Sequence, residues 1–349
     1  MPEKEIDWRS VILPHCPLCI LCVKQLIKRT DYSARSRYRY LSIYEADMRN
    51  NKINNLIKII IDPRYRFESF GSRGYFNFLS DEEYIRRMFE AKMGYSLNLD
   101  DPKTFNEKLQ WLKLYDRKSI YSTMVDKYAV KEYVSSIIGE EYIIPTIGVW
   151  DCFEDINFDQ LPNQFVLKCT HDSGGLVIVK DKTKFDVSAA RKKINRSLKR
   201  NYFYFGREWP YKDVKPRIIA ETYMEDKGTS ELRDYKIYTF NGNAKLCMIN
   251  QARKIDTKAD YFDRDYNWLD FKWGYEHADS PPKKPKNYEL MYILAEKIAA
   301  GTIELRVDFY EVNEQLYFGE LTFFDGSGFD KFEPIEWDYK LGNLLVLPY

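Results

Sequence analysis

At 349 residues the chain is long enough to bury a sizeable core, and 54 basic against 53 acidic residues leave no global field to recruit nucleic acid or a membrane. Any charged partner must therefore be held locally. An aromatic content of 16%, with 28 tyrosines, suits a mixed α/β globular fold better than a helical bundle.

His15, Cys16, Cys19 and Cys22 cluster as C-x-x-C-x-x-C. A closed zinc site needs a second ligand pair at a distance, and none stands out, so the cluster reads as a local apolar patch. The basic, Tyr-rich KRTDYSARSRYRY that follows is compatible with weak peripheral contact with an anionic membrane. Residues 1–78 read as an extension without an assigned role, containing a short helix from Ile53 to Ile61 ended by Asp62-Pro63.

Residues 79–141 read as a helical region. Ser80 caps the first helix and Gly94 stops it; a second runs from Thr104 through Leu114, and a third begins after Thr123 and ends at a glycine. From Tyr142 the sequence turns to β-branched and aromatic runs: YIIPTIGVW, QFVLKC, GGLVIVK, RIIAETYM and YKIYTF. One helix, Val187 to Lys199, interrupts them. These features define a small subdomain over 142–240 and a C-terminal one over 241–349, the latter with a helix from Tyr288 to Ala300. Isolated Cys152, Cys169 and Cys247 read as reduced core thiols, which points to a cytoplasmic compartment.

Three stretches carry chemistry. In FVLKCTHDSGGLVIVK, Lys168 stands in an apolar strand before a turn containing His171, Ser173, Gly174 and Gly175. A buried lysine needs an anion, and paired glycines let backbone amides approach phosphate. An edge strand with a solvent-facing lysine and glycines chosen for their φ angles fits the segment equally well. In LRVDFYEVNEQLYFGELTF, a three-residue connection, Asn313 to Gln315, places Asp308 opposite Glu320 and Arg306 opposite Thr322. Two facing carboxylates suit a magnesium ion, although a solvated face also accommodates them. In RIIAETYMEDKGTSELRDYKIYTF, a strand ends at Glu221, Tyr223 and Met224, and another resumes with Asp234 and Lys236 alternating. Asp263-Arg264-Asp265 is a competing D-x-D, the diphosphate clamp of a metal-dependent glycosyltransferase.

The order of these pieces, together with FNEKLQWLKLY and DKYAVKEY, resembles the ATP-grasp superfamily and specifically its TupA-like family of bacterial surface-polysaccharide gene clusters, from about Ser80 to the C-terminus. The resemblance implies two α+β subdomains clamping a nucleotide. Lys127, Lys168, His171, Ser173, Gly174 and Gly175 would hold the phosphates of ATP, and Glu221, Tyr223 and Met224 would hold its adenine. Asp308, Glu320 and Thr322 would hold Mg2+, with Arg306 on the reacting phosphate and Lys236 and Asp234 lining the cleft. Thr322 departs from the superfamily's usual asparagine, which also leaves open a nucleotide-binding protein without catalysis. The implied reaction joins a carboxylate, in this branch that of a uronic-acid-containing saccharide, to an amino acid or other amine through an acyl phosphate.

Overall fold

The structure is a computed structural model describing residues 57–227, 232–251 and 257–348. His15, Cys16, Cys19, Cys22 and the basic stretch after them lie outside the described residues. The chain divides into two compact units, 1–61 and 62–349. Of the first, residues 57–61 are described and are helical. The rest of this section concerns the second unit.

Asp62 and Pro63, expected to end a helix, also begin one. The Asp62 carboxylate accepts the backbone N–H groups of Arg64 and Tyr65, and proline occupies the first turn of α1 (Pro63–Gly71). Helix α2 (Asp81–Met93) packs beside it around Tyr84, Ile85, Met88 and Phe89. It is capped by Ser80 and closed by left-handed Gly94, as the sequence predicts. Helix α3 (Phe105–Tyr115) opens on a full capping box between Thr104 and Glu107. The third expected helix is two, α4 (Ile120–Val125) and α5 (Ala129–Ile138). Asp126 divides them by accepting the N–H groups of Tyr128 and Ala129, which places Lys127 in the break.

The strands form two antiparallel sheets that matter for function. The first contains β1 (Thr146–Trp150), β2 (Phe165–Cys169), β3 (Leu176–Val179) and β4 (Ile218–Thr222), in the order β1-β4-β2-β3. Alternation along β2 turns Phe165, Leu167 and Cys169 onto a core with Ile194 of α6 (Val187–Leu198). Val166 and Lys168 lie on the opposite face. After the short α7 (Phe203–Gly206) and the passage to β4, the chain reaches residues 223–227, which connect to the second sheet.

That sheet has the order β11-β10-β5-β6-β7-β8. Its strands are β5 (Asp234–Phe240), β6 (Asn243–Gln251), β7 (Lys258–Phe262), β8 (Trp268–Leu269), β10 (Glu304–Val312) and β11 (Gln315–Thr322). Strands β9 (Lys272–Trp273) and β12 (Phe332–Glu333) pair separately, and α9 (Glu336–Leu344) packs on α3. Leu305, Val307 and Phe309 of β10 join the main core with Met291, Tyr292 and Ala295 of α8 (Tyr288–Ile298). Glu304, Arg306 and Asp308 are consequently carried on the other face, where they are buried as well.

The β10–β11 hairpin departs from the expected connection. Val312 pairs with Gln315 across a two-residue turn, Asn313-Glu314, both residues at positive φ. Arg306 still pairs with Thr322, because a bulge between Val307 and Phe309 sets Asp308 against Gly319 and Glu320 together. The extra residue changes the face of everything beyond it. Leu316 and Phe318 pair with Glu311 and Phe309 on the core side, whereas Glu320 and Thr322 turn towards Arg306. Strict alternation would put Leu316 and Phe318 on Glu320's face, and the bulge shifts that by one residue of register. A Cβ at Gly319 would lie 3.1 Å from the Asp308 carbonyl oxygen, so the close approach favours glycine.

Candidate active site

On the second sheet Arg306 is the centre of a buried ion-pair cluster. Its Nε and Nη2 donate to the two oxygens of Asp308 at 2.7 and 2.8 Å, Nη1 donates to Asp325 at 2.7 Å, and Nη2 also reaches Glu320 at 3.1 Å. From the neighbouring β5, Lys236 Nζ lies 2.5 Å from Asp308 and 3.6 Å from Asp234. The Tyr238 hydroxyl donates to the second oxygen of Asp325.

The electrostatics follow from burial and neighbours. Burial pushes the Asp308 carboxyl up, against the pull of Arg306 and Lys236. For Lys236 burial and Arg306 act downwards, but Asp308 and Asp234 prevail and hold it above the usual lysine value. Burial acts upwards on Glu320, and Lys127, Arg306 and Lys236 overcome it, holding this carboxylate well below its ordinary range. Two cations thus face four carboxylates on one surface.

The first sheet carries the opposite balance. Glu221 of β4 receives Lys168 at 2.6 Å and Lys131 of α5 at 2.5 Å. Burial alone would push the Glu221 carboxyl up, yet the two lysines hold it below its usual value. Lys127 links the two surfaces: its backbone N–H donates to the Thr170 carbonyl, and its Nζ lies 3.3 Å from Glu320.

The glycine turn is fastened from behind. Asp172 accepts the Gly175 backbone N–H at 3.0 Å with one oxygen and the Ser197 hydroxyl with the other. Neither Gly174 nor Gly175 has positive φ. A Cβ on Gly175 would fall 2.4 Å from Cys169 Sγ, whereas one on Gly174 would make an ordinary contact with Asp172 Oδ2 at 3.7 Å. Gly175 is thus explained by close packing, and neither glycine by left-handed φ. Ser173 is exposed at the tip.

His171, grouped by resemblance with the phosphate ligands, is buried with Nε2 directed at the carbonyls of Ser197 and Arg200, 3.2 and 3.1 Å away. Beyond Glu221, the Tyr223 hydroxyl contacts Glu225, with Lys180 over its ring, and Met224 is half-buried. Asn313 of the hairpin turn accepts from Lys227 and donates to Asp226, fixing this connection to the second sheet.

Sequence reasoning missed Lys131, Tyr238 and Asp172, and gave Asp325 no part in the Arg306 cluster. The spacing of Lys127 and Lys131 by four residues was a usable signal for the first. The other three acquire their partners only in the fold. The competing pair Asp263 and Asp265 does not form a clamp: Asp263 caps its own turn through the N–H groups of Asp265 and Asn267, and Arg264 pairs with Glu289 and Glu296.

The profile described as TupA-like ATPgrasp matches residues 107–346, more than two thirds of the sequence. The chain belongs to the TupA-like ATP-grasp family. A comparison with curated proteins gives no significant match. Among solved structures, D-alanine-D-alanine ligase from Helicobacter pylori aligns at TM-score 0.38 and 15% identity, covering 71% of this chain and 70% of that one. An ATP-grasp RimK domain protein from Sphaerobacter thermophilus aligns at 0.35 and 13%, covering 66% and 70%. The ATP complex of the Bacillus anthracis D-alanine-D-alanine ligase aligns at 0.34 and 16%, covering 58% of this chain and 55% of that chain.

The donor set is suited to Mg2+. Asp308 and Glu320 converge on one guanidinium, Glu320 is 35% exposed, and hard carboxylate oxygens with an open side match a cation that keeps water and phosphate ligands. Among the described residues no group of three or more His, Cys, Asp or Glu side chains is already gathered as a metal site. Thr322, opposite Arg306, adds a hydroxyl to this face.

Proposed function

We propose that this chain is an ATP- and Mg2+-dependent carboxylate–amine ligase that activates its carboxylate as an acyl phosphate. The observation that carries the reading is the opposition of charge: a lysine pair, Lys168 on the first sheet and Lys131 on α5, is set in function against a carboxylate-rich sheet organised by Arg306. Lys168 and Lys131 would exchange Glu221 for phosphate oxygens, and Lys127 would move with them from Glu320. The connection at Glu221, Tyr223 and Met224 would receive adenine. Magnesium, held by Asp308 and Glu320 with Thr322 nearby, would neutralise phosphate charge.

Arg306 would stabilise charge on the transferring phosphoryl group while remaining oriented by Asp308 and Asp325. Lys236 and Asp234 would keep that face of the cleft polarised, and the open edge at Gly174 would let the turn close over the phosphates and exclude water. The carboxylate oxygen attacks the γ-phosphorus, ADP leaves, and an amine then displaces phosphate from the acyl carbon. We assign the carboxylate to a uronic-acid-containing saccharide of a bacterial surface polysaccharide and the amine to an amino acid, with the reaction at the cytoplasmic side of the membrane. No helix among the described residues is long and apolar enough to cross a bilayer.

ADP release measured with ATP, Mg2+, uronic-acid saccharides and pooled amino acids tests the proposal. The expected result is release that requires both substrates and is lost in Asp308→Asn and Glu320→Gln. Release that survives both substitutions would reject the metal assignment, and stabilisation by nucleotide sugars instead of ATP would reject the ligase.

A further inference from the structure

A buried cation and a buried acid stand behind the Arg306 cluster with no part in the proposed reaction. Lys113 of α3 is 0% exposed, and Glu208, just beyond α7, is 2% exposed. The three protons of the Lys113 ammonium go to Gln110 Oε1 at 2.9 Å, the Gly206 carbonyl at 2.7 Å and the Ser327 carbonyl at 2.6 Å. With all three donors used, Lys113 has none left for a ligand. Glu208 accepts the Ser327 hydroxyl, so the acid and the cation grip one residue, the first by its side chain and the second by its main chain.

Ser327 needs that grip because of its backbone. Gly326, Ser327 and Gly328 follow one another at φ of 56°, 55° and 62°, a conformation glycine adopts freely and serine only where its surroundings compel it. Gln110 Nε2 donates to the carbonyls of Ser327 and Gly328 at 3.1 and 2.7 Å, which secures the same turn from α3. A Cβ at Gly206 would fall 2.3 Å from Ser327 Oγ, so the end of α7 lies directly against it.

The turn begins with Asp325, which connects it to the candidate site. Its carboxylate accepts Arg306 Nη1 at 2.7 Å, the Tyr238 hydroxyl, and the Gly326 N–H of its own turn at 2.9 Å. Asp308 holds the other two guanidinium nitrogens, so Asp325 fixes the remaining one. A charge pair buried this deeply is a poor source of stability, because desolvation offsets its attraction and apolar residues of similar volume often do as well. What an apolar pair cannot do is hold one carbonyl and one hydroxyl in a set position.

We infer that Lys113 and Glu208 are positioning residues that act through Ser327, holding the 325–328 turn where Asp325 fixes the Arg306 guanidinium. The inference rests on the phosphoryl-transfer role proposed for Arg306. It assigns the pair an effect on kcat with little on the KM for ATP, since the contact it protects matters most when charge develops on the transferring group.

Two measurements on the full chain test it. Steady-state ADP release gives kcat and KM, and the Nε–H resonance of Arg306 in arginine-15N-labelled protein, identified by its loss in Arg306→Met, reports the setting of the guanidinium without turnover. Lys113→Met should lower kcat by about tenfold to a hundredfold, leave the KM for ATP within about twofold, and shift the resonance. Glu208→Leu should behave alike, whereas Glu208→Gln, which keeps an acceptor for the Ser327 hydroxyl, should recover at least about tenfold of the loss. Should Lys113→Met unfold, Ser327→Gly decides the matter: glycine meets the positive φ without strain, and loss of the hydroxyl should lower kcat several-fold and shift the resonance. A resonance unmoved in the folded variants, a loss confined to KM, or Glu208→Gln as impaired as Glu208→Leu overturns the inference. A resonance that moves as expected in a protein releasing no ADP with any carboxylate and amine keeps the positioning role and rejects the ligase.

Discussion

The two sheets solve the problem of buried charge in opposite ways. On the first, one carboxylate, Glu221, is shared by Lys131 and Lys168, leaving an excess of positive charge. On the second, Arg306 and Lys236 are shared among Asp308, Asp234, Glu320 and Asp325, leaving an excess of negative charge. Neither cluster is balanced by itself, and burial makes imbalance expensive. On the proposed reading each surface is arranged for a ligand of opposite sign: anionic phosphate on one, a cation with phosphate on the other. Lys127, fixed to the first sheet by its backbone and to the second by its side chain, is the residue on which the two balances meet.

The strongest way to break this contrast is at the shared guanidinium. Arg306→Met should lower turnover by about a thousandfold, because it removes the donor to developing phosphoryl charge and leaves Asp308 buried with Lys236 alone. Single-turnover ADP formation measures the loss, and a variant retaining more than a tenth of wild-type turnover would remove Arg306 from the chemistry.

Next in size is the acid on the other sheet. Glu221→Gln should cost about 3 kcal/mol of stability near neutral pH, since two part-buried lysines lose their partner. The carboxyl is held below its unfolded value of 4.5, so its contribution is present above that pH and lost as the pH falls through the folded value. Urea unfolding at pH 7 and pH 3 should therefore show a wide gap between variant and wild type that narrows in acid. A gap independent of pH would assign the loss to packing.

Lys168→Met should weaken ATP binding by about tenfold to a hundredfold by removing a charge-assisted phosphate contact. The same change would relieve competition for Glu221, leaving Lys131 as its single partner. Calorimetry with ATP and with adenosine separates the effects, since only ATP affinity should fall.

The smallest expected change sharpens the metal side. Thr322→Asn should alter the magnesium concentration for half-maximal ADP release by no more than about threefold, because the hydroxyl lies on a face already dominated by Asp308 and Glu320. A much larger change would make residue 322 a principal ligand.

Lys168, Asp308 and Glu320 were visible in the sequence because each breaks a pattern. Lys168 interrupts an apolar strand, and Asp308 and Glu320 interrupt two more, while capping boxes and glycine stops announced the helices around them. Partner choice was less legible. Lys168 was expected to meet phosphate, and the fold also gives it Glu221, 53 residues further along the chain with no local signal to connect them. Asp325 reads as a loop residue until the chain places it against Arg306 and Tyr238.

What the sequence determined by itself is therefore local: which segments prefer helix or strand, where capping side chains end them, and which ionisable groups stand among apolar neighbours. Whether those groups meet was decided by the tertiary structure. A single bulge at Gly319 and Glu320 turns the carboxylate to the Arg306 face and Phe318 to the core, and a pattern with period two cannot reveal such a slip. His171 shows the same limit, since its position in the glycine turn suggested phosphate, and only the packing of α6 against β2 gives its Nε2 to two carbonyls and leaves Nδ1 unpaired among the described residues. Charges attract through space, and their distances along the chain say little about which will be neighbours once the sheets have formed.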